Sequence, residues 1–152
     1  MDVRSIMKPR VISVPLEATL EQAIRLFVEH RVGLLPVVDA DGKLVGVLGL
    51  RKVLELSMPT FVGIVQDYDF VHDFGALETP QINDELRKTP ISVLMEPPIH
   101  VAGHCKLLRA AAMMQQHDIR DLPVVDEDDR LVGLASWVDV GTSFLRDWND
   151  AL

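Results

Sequence analysis

The chain has 152 residues, 48% of them hydrophobic and 25% charged, which suits one ordinary globular domain or two small lobes sharing a core and argues against a multi-domain enzyme. With 15 lysines and arginines against 23 acids the formal charge is −8, which argues against a broad electrostatic grip on nucleic acid or anionic lipid. The single cysteine, Cys105, excludes an internal disulfide and a thiolate-rich metal site; with no apolar run of roughly 18 residues and no apolar signal core, a cytoplasmic location is expected.

Val11, Ile12 and Val14 read as a short β-prone leading segment. Thr19 and Gln22 stand three residues apart and predict a capping box, opening a helix whose Leu20, Ala23, Ile24, Phe27 and Val28 recur on one face. The apolar run from Leu35 to Val38 is too short for a helix and reads as a strand. Asp41-Gly42 supplies a tight hairpin turn, Leu44 to Leu48 the returning strand, and a closing helix is expected from about Leu50.

Residues 58–90 are longer than a simple crossover needs. Phe61, Ile64, Tyr68, Phe70 and Phe74 make the stretch too apolar for a flexible linker, so a packed connector is expected, with Asp67, Asp69, Asp73 and Asp84 as a solvated rim. Beyond it the first pattern returns. Leu35-Pro36-Val37-Val38-Asp39 reappears as Leu122-Pro123-Val124-Val125-Asp126, and Leu44-Val45-Gly46-Val47 as Leu131-Val132-Gly133-Leu134, both 87 residues on. His30 matches His117 in the same register. Met7-Lys8-Pro9 matches Met95-Glu96-Pro97 one residue out of it. The expected organisation is repeat 1 over 1–57, a connector over 58–90 and repeat 2 over 91–152. A unit of some fifty residues buries too little surface to stand alone, so the two are expected to share a core around a pseudo-two-fold axis.

The paired Leu-Pro-Val-Val-Asp and Leu-Val-Gly strands, with a helix ending in His30 or His117 before them, resemble the tandem cystathionine-β-synthase (CBS) domain pair, or Bateman module. The resemblance covers about Val3 to Leu56 and Ile91 to Leu145. It implies a mixed α/β (α+β) fold of two β-α-β-β-α repeats and a regulatory protein that senses an adenosine-containing ligand between them and signals to a partner. Such modules commonly associate as flat homodimers, and Val140, Phe144, Leu145 and Trp148 of the closing helix are the candidate face. AMP, ADP, ATP, S-adenosylmethionine and a cyclic dinucleotide all remain open as ligands, and no obligatory cofactor is implied.

The family's ligand signature is matched in the second repeat by Gly133-Leu134-Ala135-Ser136-Trp137-Val138-Asp139. A carboxylate at Asp139 accepts hydrogen bonds from ribose hydroxyls, and Ser136, near a helix start, offers a hydroxyl and neighbouring free amides to a phosphate. Gly133 leaves room for a ligand to approach, with Leu134 beside it. The resemblance adds Arg120 as a phosphate contact and Val11, Ile12 and Ser13 as the wall for adenine. In the first repeat Gly49, Lys52 and Gly33 stand at the serine, aspartate and arginine positions, so that site is expected to be empty.

The same residues also have a purely structural explanation. Ser136 and Asp139 suit the first turn of a helix, and Arg120 pairs plausibly with Asp118 or Asp121. An interaction module without a ligand is therefore the alternative function. His100, His104 and Cys105 fall in a strand and loop without a second ligand pair, so no metal site is expected. No nucleophile or phosphate-loop motif is present either, so catalysis has no visible carrier.

Overall fold

A computed structural model of the chain describes residues 1–57 and 82–151. The connector's aromatic residues, Phe61, Tyr68, Phe70 and Phe74, lie outside the described residues. The first repeat runs β1 (Val14–Pro15), α1 (Leu20–His30), β2 (Leu34–Val38), β3 (Leu44–Gly49) and α2 (Leu50–Ser57). After α3 (Asp84–Arg87) and α4 (Ile91–Leu94), the second repeats the order with β4 (Val101–Ala102), α5 (Leu107–Gln116), β5 (Asp121–Val125), β6 (Leu131–Ser136) and α6 (Trp137–Ala151). Among the described residues each repeat has one three-stranded sheet, its first two strands parallel and its last two an antiparallel hairpin.

The local signals account for these elements. Thr19 Oγ1 accepts from the Gln22 amide while Gln22 Oε1 accepts from the Thr19 amide, the reciprocal capping box that starts α1. The turn between β2 and β3 uses Gly42 at φ +79°, and its counterpart between β5 and β6 uses Asp129 at φ +61°. In both turns one aspartate side chain takes two backbone amides: Asp39 those of Asp41 and Lys43, Asp126 those of Asp128 and Arg130. This local bonding holds the second turn without a glycine.

Among the described residues there are two cores, one in each repeat, rather than the single shared core expected. Leu20, Ala23, Phe27, Leu35, Val37 and Leu48 form one, and Leu107, Ala110, Met114, Leu122, Val124 and Ala135 form the other. Each core is completed by the segment that precedes the opposite repeat. Val3, completely buried in a short 3-10 turn (Val3–Ser5), belongs to the second core, whereas Ile91, also completely buried, belongs to the first. Burial of each side chain is worth about 1.5–3 kcal/mol. The cross-over therefore ties the repeats together through chain order as well as contact. The described end of the connector takes part, since Leu86 packs on the first core and the Leu20 amide donates to the Thr89 carbonyl at 2.9 Å.

Two methionines finish the exchange. A Cβ built on Gly133 would collide with Met7 Sδ, and one on Gly46 would collide with Met95 Sδ. Each glycine of the paired Leu-Val-Gly strands thus seats a methionine from the opposite arm. The space over Gly133, which the sequence reading left for a ligand, is filled by Met7. Lys8 pairs with Leu134 through two backbone hydrogen bonds, and Glu96 does the same with Val47. At the far end the hairpin tips meet, the Leu44 amide donating to Asp129 O and the Leu131 amide to Gly42 O. Among the described residues no helix is long and apolar enough to cross a membrane.

Candidate functional site

The pseudo-two-fold packing leaves a cavity of about 540 Å³ between the repeats. Its first-repeat wall is the β3–α2 junction with the start of β2: Gly33, Leu34, Val47, Gly49, Arg51, Lys52 and Glu55. The second repeat contributes Asp118, Ile119, Arg120, Asp121 and Pro123, and the arm leading to β4 contributes Glu96, Pro97 and Ile99. The volume falls within the range of small-molecule sites, roughly 300–1,000 Å³. Apolar groups and charges of both signs share the wall.

Of the residues expected to bind a ligand, Arg120 lines this cavity. Ser136 and Asp139 lie at the β6–α6 junction, where they cap each other: the Asp139 amide donates to Ser136 Oγ at 3.0 Å and the Ser136 amide to Asp139 Oδ2 at 3.3 Å. This box starts α6 and puts a carboxylate in its first turn, favourable to the helix dipole. The box does not exhaust the two groups, because Asp139 Oδ1 and the Ser136 hydroxyl proton have no partner among the described residues. Leu134 is engaged with Lys8 through the backbone. Val11, Ile12 and Ser13 are half-buried, and Ile12 packs on the first core. It is the counterpart of Ile12 in the repeat register, Ile99, that reaches the cavity.

Arg120 does not pair with Asp118 or Asp121, and Lys52 has no carboxylate within 4.0 Å among the described residues; Arg51 is bound to Glu55 at 3.3 Å. One cation from each repeat, neither with an ion-pair partner among the described residues, thus borders the same space. Asp121 is half-buried at the start of β5, and its Oδ2 lies 3.6 Å from where a Cβ of Gly33 would stand. Burial pushes its carboxyl above the ordinary aspartate range; Lys8 pulls it back and the Asp139 charge adds to the rise.

Sequence reasoning missed Asp121, Glu96 and Ile99. The first two have no role in a motif read along one repeat, since they enter the site from the facing repeat or its arm. Ile99 was legible through the register alone, as the copy of Ile12. The cavity itself opens at the first-repeat junction, where the sequence reading expected no ligand.

The family model for the CBS domain matches residues 3–59 and 91–140, more than half of the chain, and the protein belongs to the CBS domain family as a tandem pair. The Bacillus subtilis CBS domain-containing protein YhcV is 30% identical over 143 residues, covering 93% of this chain and 84% of its own length. The chloroplastic CBS domain-containing protein CBSX1 of Arabidopsis thaliana is 33% identical over 121 residues, 76% of this chain, and the match spans about half, 51%, of that protein. Among solved structures, CBSX2, also of Arabidopsis thaliana, in complex with AMP aligns with a TM-score of 0.72 at 28% identity, over 95% of this chain and 96% of that one.

Proposed function

We propose that the chain is a cytoplasmic regulatory CBS pair that binds an adenosine-containing ligand, of the AMP, ADP or ATP class, between its repeats and passes the signal to a partner chain. The observation that carries this reading is the inter-repeat cavity: about 540 Å³, walled by both repeats, with apolar groups for a base and, for phosphate, Lys52 and Arg120, which have no ion-pair partner among the described residues. The AMP complex of CBSX2 supports the ligand class. A ligand held by both repeats favours one relative arrangement of them, and that differential contact is what a partner reads. Nothing in this reading requires turnover, so the chain acts as a sensor rather than a catalyst.

The test is thermal denaturation with AMP, ADP, ATP, S-adenosylmethionine and adenosine. At about 100 times its dissociation constant a bound ligand adds roughly 2.7 kcal/mol, which for a chain of this size raises Tm by roughly 5–10 °C. No shift with any of them removes the reading.

A second reading, an interaction module, draws on the outer face of α6. Val138 is 67% exposed, Leu145 59% and Trp148 68%, an apolar stripe at helical spacing. The candidate dimer face is corrected here, because Val140 is completely buried and Phe144 packs on the second core, so neither is free to meet a second copy. A homodimer built on Val138, Leu145 and Trp148 predicts that Trp148→Glu gives a monomer by light scattering. Equal masses for parent and variant count against it.

A further inference from the structure

The strip between α5 and β5 is shared by two cavities. Asp118, Ile119 and Arg120 border the inter-repeat cavity, and they also border an outer pocket of about 190 Å³ completed by Met114 and Gln115 of α5 and by Trp137 at the start of α6. The outer pocket takes no wall from the first repeat and is smaller than small-molecule sites, which run to roughly 300–1,000 Å³. Met114 belongs to the second core, whereas Trp137 is 40% exposed.

The strip is pinned at its backbone and loose at one side chain. The Trp137 amide donates to the Arg120 carbonyl at 2.7 Å, and Asp121, the next residue, pairs with Ser136 in the sheet. The Arg120 side chain is exposed and has no ion-pair partner within 4.0 Å among the described residues. Glu55, Glu96, Asp118 and Asp121 stand on the inner wall with Arg51 and Lys52, and Asp118 also borders the outer pocket. Charges of both signs therefore surround the guanidinium, and turning it breaks no ion pair. An anion in the inner cavity adds an attraction that the outer pocket lacks.

The first repeat has the same backbone without these side chains. In the repeat register Arg31, Val32, Gly33 and Leu50 replace Asp118, Ile119, Arg120 and Trp137, and the Leu50 amide donates to the Gly33 carbonyl at 3.0 Å. Arg31 and Asp118 even share a left-handed φ of +51°. Glycine, however, has no side chain to reach from one cavity into another, and leucine has no indole to cover.

Resting on the reading that an adenosine phosphate fills the inter-repeat cavity, we propose that the Arg120 side chain couples that cavity to the outer pocket: the ligand's phosphate draws the guanidinium inward, and the pocket over Trp137 opens. Occupancy is then displayed on the outer surface of the second repeat alone. The hydrogen-bonded backbone of the strip stays in place, and an exposed side chain reorients in ps–ns, so the ligand has only a population of rotamers to shift.

Trp148→Phe leaves Trp137 as the sole tryptophan, and acrylamide quenching of its fluorescence reads its exposure. Calorimetry follows binding of AMP, ADP and ATP, and melts check that each variant is folded. Saturation with a phosphate ligand that binds should raise the quenching constant, by at most about two-fold because Trp137 is already 40% exposed. Arg120→Ala in the same background should show the raised value without ligand, a readout that does not depend on its affinity, and ligand should raise it no further. If ligand-free Arg120→Ala quenches like its parent, Arg120 does not cover Trp137 and the coupling falls. If the parent binds ligand and quenching stays level or drops, the coupling falls while nucleotide sensing stands. A rise that persists in Arg120→Ala is direct contact at the Ser136–Asp139 junction, and the coupling falls there too. A parent protein that binds none of the three ligands removes both readings.

Discussion

The two repeats share a fold to the level of matched turns and exchanged arms, yet they start their helices in opposite ways. The first repeat caps its early helix with Thr19 and Gln22, while the corresponding Lys106 gives no side-chain cap to α5. At the closing helices the positions reverse: Ser136 and Asp139 form the box at α6, and Gly49 and Lys52 leave α2 without one. Elements that build the two cores are duplicated, whereas polar groups bordering the cleft differ between copies. Packing demands symmetry of the cores. A ligand bound by one chain makes no such demand of the cleft.

The largest expected effect breaks the symmetry of the cores through the arms. Ile91→Ala should cost about 2–5 kcal/mol, and the damage should fall on the first repeat, although Ile91 leads into the second in sequence. Hydrogen exchange should show Leu35, Val37 and Leu48 losing more protection than Leu122 and Val124. Equal losses, or a larger loss in the second repeat, would show that the arms are not exchanged as described.

That exchange marks the boundary of what the sequence made legible. Both capping and hairpin signals are local, so α1, β2, β3 and their copies could be read from residue pattern. The register also revealed the pseudo-symmetry. Which core Val3 and Ile91 enter depends on a crossing between distant segments, and no local pattern records it. The same limit applies to the site. Ser136, Asp139, Arg120 and Lys52 were identified along the chain, but the cavity wall is completed by Asp121 and Glu96 across the pseudo-two-fold axis, and Gly133 turned out to seat Met7.

A smaller effect sharpens the comparison of the junctions. Ser136→Ala should cost about 0.5–2 kcal/mol through the lost cap. Transplanting the box as Gly49→Ser with Lys52→Asp should instead raise the urea midpoint, by a gain of about 1 kcal/mol or less. A transplant that destabilises the protein would mean that Gly49 or Lys52 serves the fold of α2 in a way the dipole argument omits.

The smallest effect is in the pH dependence. The folded Asp121 carboxyl lies above its ordinary range because burial penalises its charge, so over that interval the folded state holds a proton the unfolded chain has released. Its contribution is most favourable below the ordinary aspartate pKa and is lost as pH rises through the raised value. Asp121→Asn should therefore flatten the fall in stability across this acid interval and leave the neutral-pH protein at least as stable. A steeper fall in the variant would contradict the assignment of burial as the cause.

A ligand held between the repeats at the first junction is the central expectation for this protein. An amide-resolved NMR titration with AMP tests this directly. The largest shifts should fall on Gly33, Gly49, Lys52, Ile99 and Asp121, drawn from both repeats around one cavity. Shifts confined to Ser136 through Asp139, or none at saturating AMP, would contradict it.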